Sequence, residues 1–195
     1  MEDREQLKIK MLEYALKHVP FEGWSASLLE KAAQDCGREA SYGWRLFPNG
    51  PRDAISLWSH LLNKKMLETL PATDTLKIRE RITLGVKTRI SLLIPYREAT
   101  RETTRYLKKP FHIPESMRLL YQTVSDIWYY AGDTSTDYNF YTKRALLSWV
   151  YSTTFLYWLK DDSEGFEKTW IFLDKRSAEV LSLPKYFKFP WKHHD

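Results

Sequence analysis

Apolar residues recur at helical spacing along almost the whole chain, and prolines and glycines divide this pattern into segments. The first segment runs from Leu7 to His18. We expect it to stop at Pro20, because proline lacks the amide hydrogen that a helix interior needs. No stretch shows the period of two that is typical of a strand. The pattern therefore predicts an all-α fold of about nine helices.

Two short segments near the amino terminus have the proportions of a helix-turn-helix. The first is expected over residues 26–36, with Ser27 and Glu30 forming a capping box, and the second over residues 39–47. Gly43 lies inside the second helix and costs about 1 kcal/mol relative to alanine. Because an acid also offsets the basic residues of this helix, DNA binding is disfavoured. Packing in the core is the expected role of its aromatic residues.

The second half of the chain is expected to hold longer helices. The pattern places them at residues 75–94, 97–108, 114–131 and 138–160, followed by a last helix that is capped by Asp162 or Ser163 and runs to residue 181. The longest apolar run, 145–159, is shorter than the roughly 20 residues that a membrane-spanning helix needs. Burial inside protein is therefore favoured for this run.

Aromatic residues make up 15% of the chain, with 8 Trp, 12 Tyr and 9 Phe, which is more than a domain of this size needs in order to fold. Wide, rigid apolar side chains of this kind are typical of ligand pockets and interfaces. The single cysteine, Cys36, excludes an intrachain disulfide and favours a reducing compartment. The net charge of +5 suits an anionic surface, whether lipid headgroups or nucleic acid.

The sequence offers no motif for catalysis, cofactor binding or metal binding. It lacks the Glu-x-x-His of a di-iron site, a glycine-rich nucleotide loop, a nucleophile elbow and a Cys-x-x-Cys pair. Among the five histidines, the neighbours His193 and His194 have poor geometry for a metal ion. The hypothesis is therefore a protein that is not an enzyme, with no catalytic residue, cofactor or metal.

The segment AGDTSTDYNFYTKR, at residues 131–144, resembles the signature of an accessory family of ubiquinone biosynthesis, the ninth protein of the coenzyme Q pathway. The similarity continues at residues 151–154 and 166–176, and more weakly at 23–25 and 28–29. The resemblance implies a TetR-like fold, a homodimer paired through its last helices, and a bound lipid of isoprenoid or quinone-like character. It also implies that the protein presents this lipid to the di-iron hydroxylase that acts on demethoxyubiquinone.

The resemblance also points to differences from related chains. Residues 42–50 resemble the end of a TetR-type recognition helix, but Gly50 stands where that type offers a lysine to DNA phosphate. Mitochondrial members of the family carry a further amphipathic helix that binds membrane. Here only residues 186–192 correspond to it. Peripheral membrane contact is therefore expected through other basic and aromatic residues.

Two groups of residues are candidates for the lipid site and for the partner surface. Six side chains are expected to line the lipid pocket: Trp128, Tyr129, Tyr141, Leu147, Tyr151 and Phe155. The alternative is that they only fill the core and the dimer interface. Four residues of the last helix are expected to meet the hydroxylase: Glu167, Trp170, Ile171 and Asp174. The alternative for Trp170 is burial between two protomers.

Membrane contact is predicted at two places in the chain. The residues concerned are Arg97, Arg101 and Arg105 on one helix face, and Lys188 and Trp191 in the tail. Glutamates close to the arginines offer an alternative, because they would turn that face into a solvated, salt-bridged surface. The tail could instead pack on the dimer.

The sequence predicts three parts: a helix-turn-helix-like module at 1–70, a lipid-binding and dimerisation domain at 71–184, and a basic-aromatic tail at 185–195. The opening residues are charged and lack the apolar stretch of a signal peptide. This favours the cytoplasm of a bacterium, peripheral to the inner membrane, over the mitochondrial matrix. Two other functions stay open: a TetR-like, ligand-sensing regulator that binds DNA, and a ligand-free dimeric scaffold.

Overall fold

The computed structural model describes residues 4–72, 76–133 and 138–182, and every regular element within them is helical. These ranges hold α1 (Arg4–Glu22), α2 (Ala26–Asp35), α3 (Tyr42–Leu46), α4 (Pro51–Thr69), α5 (Ile78–Ser91), α6 (Arg97–Leu107), α7 (Ile113–Tyr130), α8 (Tyr138–Trp158) and α9 (Glu167–Ser182). Short 3-10 turns precede α6, α7 and α9. The all-α prediction is confirmed. None of the described helices is both long and apolar enough to cross a membrane.

The described helices group into two compact units. The first comprises the described residues up to Thr69 together with residues 89–123, and the second comprises residues 70–88 together with the described residues from Val124 onward. The division therefore falls within α5 and α7. It differs from the predicted domains, because residues 89–123 group with the amino-terminal helices. The predicted tail, residues 185–195, lies outside the described residues.

Buried polar contacts explain why residues 89–123 belong to the first unit. Arg89 is only 5% exposed, and it donates from Nε to Asn63 Oδ1 at 2.7 Å. Thr123 donates its hydroxyl to the same oxygen at 3.2 Å. On α6, the buried Thr103 hydroxyl accepts a 2.8 Å hydrogen bond from the indole nitrogen of Trp24. Since buried polar groups are costly unless they are paired, these bonds join α4 to α5 and α7, and join α6 to the segment between α1 and α2.

The first helix differs from its prediction, because Pro20 does not end it. α1 continues to Glu22, and the chain leaves the helix at Gly23, whose φ is +70°. The amide of Gly23 donates to the carbonyl of Val19 at 2.9 Å. Proline lacks an amide donor and its ring crowds the carbonyl four residues earlier, but its φ is compatible with a helix. A last turn therefore forms before the glycine terminates it.

The helix-turn-helix-like module also differs in detail. Ser25, rather than Ser27, caps α2, since its Oγ accepts from the amide of Leu28 at 3.1 Å. Glu30 instead accepts from the indole of Trp44 at 2.9 Å. The second helix is shorter than predicted, because residues 39–41 form turns that lead into α3.

The second unit has a core formed by one face of each of its long helices. The buried residues are Ile82 and Val86 on α5, Val124, Ile127 and Trp128 on α7, Leu147 and Val150 on α8, and Leu173 on α9. α5 and α7 approach closely at Gly85, where an added Cβ would lie 2.9 Å from Ile127 Cγ2. Glycine is needed here because any larger residue would push the helices apart.

Candidate functional site

A buried ion pair links Asp133, just after the end of α7, to α8. The Asp133 side chain is 3% exposed and accepts from Arg144 Nη1 at 3.1 Å and from Lys143 Nζ at 2.9 Å. The Arg144 guanidinium carbon also lies 3.3 Å from the centre of the Phe140 ring. Asp133 directly follows the end of α7, and both cations lie in the second turn of α8. The pair therefore sets where α8 begins relative to the end of α7.

Further contacts fix the carboxyl-terminal end of α7. Gly132 adopts the left-handed conformation, with a φ of +83°. Arg81 donates from Nη1 to the carbonyl of Ala131 at 3.2 Å, and this satisfies a carbonyl that the helix end leaves without a partner. The indole of Trp128 donates to the carbonyl of Lys143 at 3.1 Å. The described residues of the signature segment thus have an architectural role, since they join α5, α7 and α8.

Four of the six predicted lipid-lining residues lie at the interior of the second unit. Trp128, Leu147 and Tyr151 are buried, with exposures of 5%, 3% and 8%, and Phe155 is half-buried. The rings of Tyr151 and Phe155 are nearly parallel, with centroids 6.2 Å apart, and the ring of Trp158 follows at 5.9 Å from Phe155. α8 therefore presents a row of aromatic rings along its inner side.

Tyr129 and Tyr141 do not join this row. Their side chains are 79% and 69% exposed. Tyr129 follows Trp128 in α7, so it is turned about 100° around the helix from a buried position. Aromatic character alone could not distinguish these two residues from the buried four, since the outcome depends on the orientation of each helix.

Two buried hydroxyl groups in the second unit were missed by sequence reasoning. Thr154 on α8 is fully buried and Ser177 on α9 is 2% exposed. Neither side-chain oxygen has a hydrogen-bond partner among the described residues. Most buried hydroxyls are paired, so these two are candidates for contact with a polar group of a ligand. The available signal was the presence of serine and threonine within an otherwise apolar helix.

Asp161 organises the turn that leads into α9. Its carboxylate accepts four hydrogen bonds, from the amide and hydroxyl of Ser163 at 2.9 and 2.7 Å and from those of Thr169 at 2.9 and 2.6 Å. Burial opposes ionisation, but these hydrogen bonds outweigh it and lower the pKa of Asp161 to about 2. Ser163, one of the two predicted caps, caps the 3-10 turn before α9, and its Oγ also accepts from the amide of Lys168 at 3.2 Å. Asp161 adds an acceptor that the prediction did not include.

The four residues of the predicted partner surface share an outward face of α9. They are Glu167, Trp170, Ile171 and Asp174, which recur at helical spacing. Both acids are exposed, and neither forms an ion pair with a cation in the described ranges. Trp170 is half-buried, because its indole donates to the carbonyl of Gly165 at 2.9 Å and Lys87 Nζ lies 5.3 Å from its ring. The face is thus apolar and acidic.

The arginine face of α6 is largely neutralised by acids of the same helix. Arg101 pairs with Glu98 at 3.4 Å, and Arg105 pairs with Glu102 at 2.6 Å. Arg97 is half-buried. Contact with phospholipid at this face stays a prediction, and the pairing offers it no support. The other two predicted contacts, Lys188 and Trp191, lie outside the described residues.

Metal-binding side chains do not cluster in the described ranges. No group of three histidine, cysteine, aspartate or glutamate side chains in these ranges could hold a metal ion. The geometry of the second unit instead combines buried aromatic rings with unpaired hydroxyls. Such an arrangement is suited to binding an apolar molecule that carries a few polar atoms.

The arrangement of helices defines a TetR-like helical protein. The structure is similar to the crystal structure of a TetR transcriptional regulator from Nitrosomonas europaea, with a TM-score of 0.72. The two sequences are 22% identical, and the match covers 91% of this chain and 99% of the regulator. At this level of identity the likeness concerns the fold alone.

The sequence comparisons identify the family within this fold. Residues 113–184 match the COQ9 family. The chain is 35% identical to the mitochondrial ubiquinone biosynthesis protein COQ9 of Rattus norvegicus, over 93% of this chain and 61% of that protein. Identity to the Homo sapiens protein is 34%, over 93% and 60%. Identity to COQ9-B of Xenopus laevis is 34%, over 96% and 67%.

The chain therefore belongs to the COQ9 family, which confirms the family resemblance inferred from its sequence. It spans about three fifths of the length of the rat and human relatives, which it covers to 61% and 60%.

The predicted bacterial location is wrong. The relatives from rat, cattle, human and Drosophila melanogaster are all named as mitochondrial proteins, which contradicts a bacterial location. The prediction depended on a signal being absent from the opening residues. That observation does not determine the compartment.

The first prediction concerns the buried ion pair. Asp133→Ala should lower the free energy of unfolding by about 3 kcal/mol, because it leaves the buried Arg144 guanidinium without its carboxylate. Lys143→Met is the matched control and should cost less than about 1 kcal/mol, since the lysine side chain is 37% exposed. Urea denaturation followed by circular dichroism measures both values. Equal losses would contradict the dominant role of Arg144.

The second prediction concerns the pH dependence of stability. The ordinary pKa of aspartate is 3.8, and the folded protein lowers that of Asp161 to about 2. Its stabilising contribution is therefore complete above about pH 5 and is lost as the pH falls through 2. Asp161→Asn should lower the free energy of unfolding by about 1–2 kcal/mol at pH 7, and by clearly less at pH 3. Urea denaturation of both proteins at the two pH values measures this difference. A difference that does not depend on pH would show that the carboxylate charge is unimportant.

Proposed function

We propose that this chain acts in ubiquinone biosynthesis as an accessory protein without catalytic activity. In this proposal it binds a lipid of isoprenoid or quinone-like character and presents it to the demethoxyubiquinone hydroxylase. Membership of the COQ9 family supports the pathway, since its relatives are named ubiquinone biosynthesis proteins. The observation that carries the lipid-binding role is the aromatic row of Tyr151, Phe155 and Trp158.

The lipid would lie along the inner side of α8. Transfer of each methylene group of its tail out of water contributes about 0.8 kcal/mol, so a protein interior can compete with the bilayer for the tail. Flat rings such as those of Tyr151 and Phe155 can stack on a quinone-like head group. The hydroxyls of Thr154 and Ser177 could donate to its ring oxygens, which would satisfy two buried polar atoms. Trp128 and Leu147 would complete the lining, while Tyr129 and Tyr141 stay at the surface.

The outer side of α8 is suited to pairing with a second copy of the chain. Trp149, Leu156 and Tyr157 are 45%, 44% and 38% exposed, although all are large and apolar. Tyr157 stacks on Phe172 of α9, with ring centroids 4.6 Å apart. Surfaces of this kind, formed by two antiparallel helices, are typical of homodimer interfaces. A homodimer paired through α8 and α9 is therefore part of the proposal.

The outward face of α9 would meet the hydroxylase. It combines two unpaired acids, Glu167 and Asp174, with the apolar Trp170 and Ile171. Tryptophan is enriched among the residues that dominate the energetics of protein interfaces. The exposed acids add selectivity, because they favour a partner surface that carries basic residues.

The lipid-binding proposal predicts the effect of filling the interior. Leu147→Trp adds volume beside the aromatic row, and it should reduce the amount of quinone that copurifies with folded protein about tenfold or more, because the space for the lipid is taken. Tyr141→Trp also enlarges a side chain of α8, at a position that is 69% exposed, and should leave the lipid content unchanged. Size-exclusion chromatography isolates the folded protein, and mass spectrometry of its lipid extract measures the content. Equal lipid in both variants would contradict a pocket at Leu147.

The partner surface can be tested without disturbing the core. Changing both exposed acids, with Glu167→Lys and Asp174→Lys, should weaken binding to the hydroxylase about tenfold or more, because like charges would then face each other. Trp170→Ala should have an effect of similar size. Trp44→Ala removes an equally large side chain, 49% exposed, from the first unit and serves as the control. Biolayer interferometry with the purified hydroxylase measures the affinities. If the variants of α9 bind as the unchanged protein does, the hydroxylase meets another surface.

A further inference from the structure

The turn between α6 and α7, in the first unit, carries an unusual side chain. Phe111 is 90% exposed, more than any other large apolar residue in the described part of the chain. It lies in the 3-10 turn Pro110–His112, directly after Lys108 and Lys109, and both lysines are exposed. The region therefore places a bare aromatic ring beside two positive charges.

Contacts of the neighbouring residues hold the turn in place, although the Phe111 side chain itself is exposed to solvent. The ring of His112 stacks on Tyr106 of α6 with centroids 4.3 Å apart. The amide of His112 donates to the carbonyl of Lys109 at 2.8 Å, and Pro110 restricts the backbone between them. Because the neighbours of Phe111 are held in place, the backbone keeps its side chain at the surface.

An apolar stripe continues from the turn along α7. Ile113, Met117 and Tyr121 follow at intervals of four residues and are 51%, 58% and 47% exposed. Residues at this spacing lie on one side of a helix. Together with Phe111 they form a contiguous set of large apolar residues that face water in the first unit. We call the set of Lys108, Lys109, Phe111, Ile113 and Met117 the basic-apolar turn.

The two lysines beside Phe111 have no acidic partner among the described residues, although another acid lies nearby. Glu115 pairs with Arg118 at 2.6 Å, so it is already neutralised. No carboxylate of the described residues pairs with Lys108 or Lys109. Lys109 Nζ lies 5.5 Å from the centre of the Tyr106 ring. The surface therefore combines exposed apolar area with two positive charges that no acid neutralises.

We propose that the basic-apolar turn docks the protein on an anionic lipid bilayer, with Phe111 inserted at the level of the headgroups. Lysine is depleted from protein–protein interfaces, whereas at a bilayer its ammonium group can stay among the headgroups while its stem covers apolar surface. An aromatic ring is favoured at the same depth. The lysines would contribute through their attraction to anionic lipid. This site is separate from the lipid-lining residues of α8, and it does not depend on the proposed function.

The test uses a dye at the turn in the full-length chain. Cys36 is the single cysteine, so Cys36→Ser together with Phe111→Cys gives one attachment point for an environment-sensitive nitrobenzoxadiazole dye. Phe21→Cys in the same background is the matched control, since Phe21 is 87% exposed but is followed by Glu22, which pairs with Lys31 at 2.7 Å. Vesicles of phosphatidylcholine, with and without cardiolipin, are then added.

We expect the fluorescence of the dye at position 111 to become brighter, and its emission to shift to shorter wavelength, with vesicles that contain cardiolipin. The dye at position 21 should stay unchanged.

Sedimentation with the same vesicles should show that Phe111→Ala weakens binding about tenfold. Changing each lysine, with Lys108→Gln and Lys109→Gln, should weaken it about fivefold per residue. An equal response at both dye positions, or vesicle binding with no response at position 111, would overturn the proposal. Binding that does not depend on cardiolipin would overturn it as well.

Discussion

The arrangement of the second unit depends on one buried carboxylate. Asp133 binds Arg144 and Lys143, and so the residue after α7 is tied to the second turn of α8. The direction in which α8 leaves this junction decides which of its aromatic residues face inward. Tyr151 and Phe155 belong to the inner row for this reason, and Trp149 lies on the outer side. The charge of Asp133, just after α7, thus influences where an apolar molecule could bind along α8.

A second carboxylate, that of Asp161, fixes the start of α9 in the same way. Asp161 gathers the amide and hydroxyl groups of Ser163 and Thr169, and so the helix starts in a defined orientation. Trp170 then lies against Lys87, with Glu167 and Asp174 facing outward. The described helices differ in their surface charge. α6 is largely neutralised by its own acids, one face of α9 carries two unpaired acids, and the turn before α7 is basic.

Periodicity was sufficient to predict the helices, because apolar residues at a spacing of three and four record which side each helix buries. It could not predict features that depend on tertiary contacts. Pro20 lies inside α1 because Gly23 ends that helix, and Asp161 is the main acceptor because Thr169 reaches it. The aromatic excess indicated a pocket or an interface, yet it could not separate the inner Tyr151 from the outer Tyr141. Aromatic and apolar residues lie on all sides of α8, so the spacing within this helix does not show which side it buries.

The central claim is that the unmodified protein carries a lipid, and native mass spectrometry tests it most directly. The protein would be purified without detergent and measured intact, and its bound molecules would then be extracted and identified. The account predicts a dimer whose excess mass is an isoprenoid quinone or one of its precursors, released when the complex is activated in the gas phase. A dimer or monomer with no bound lipid, obtained from cells that make ubiquinone, would contradict the account.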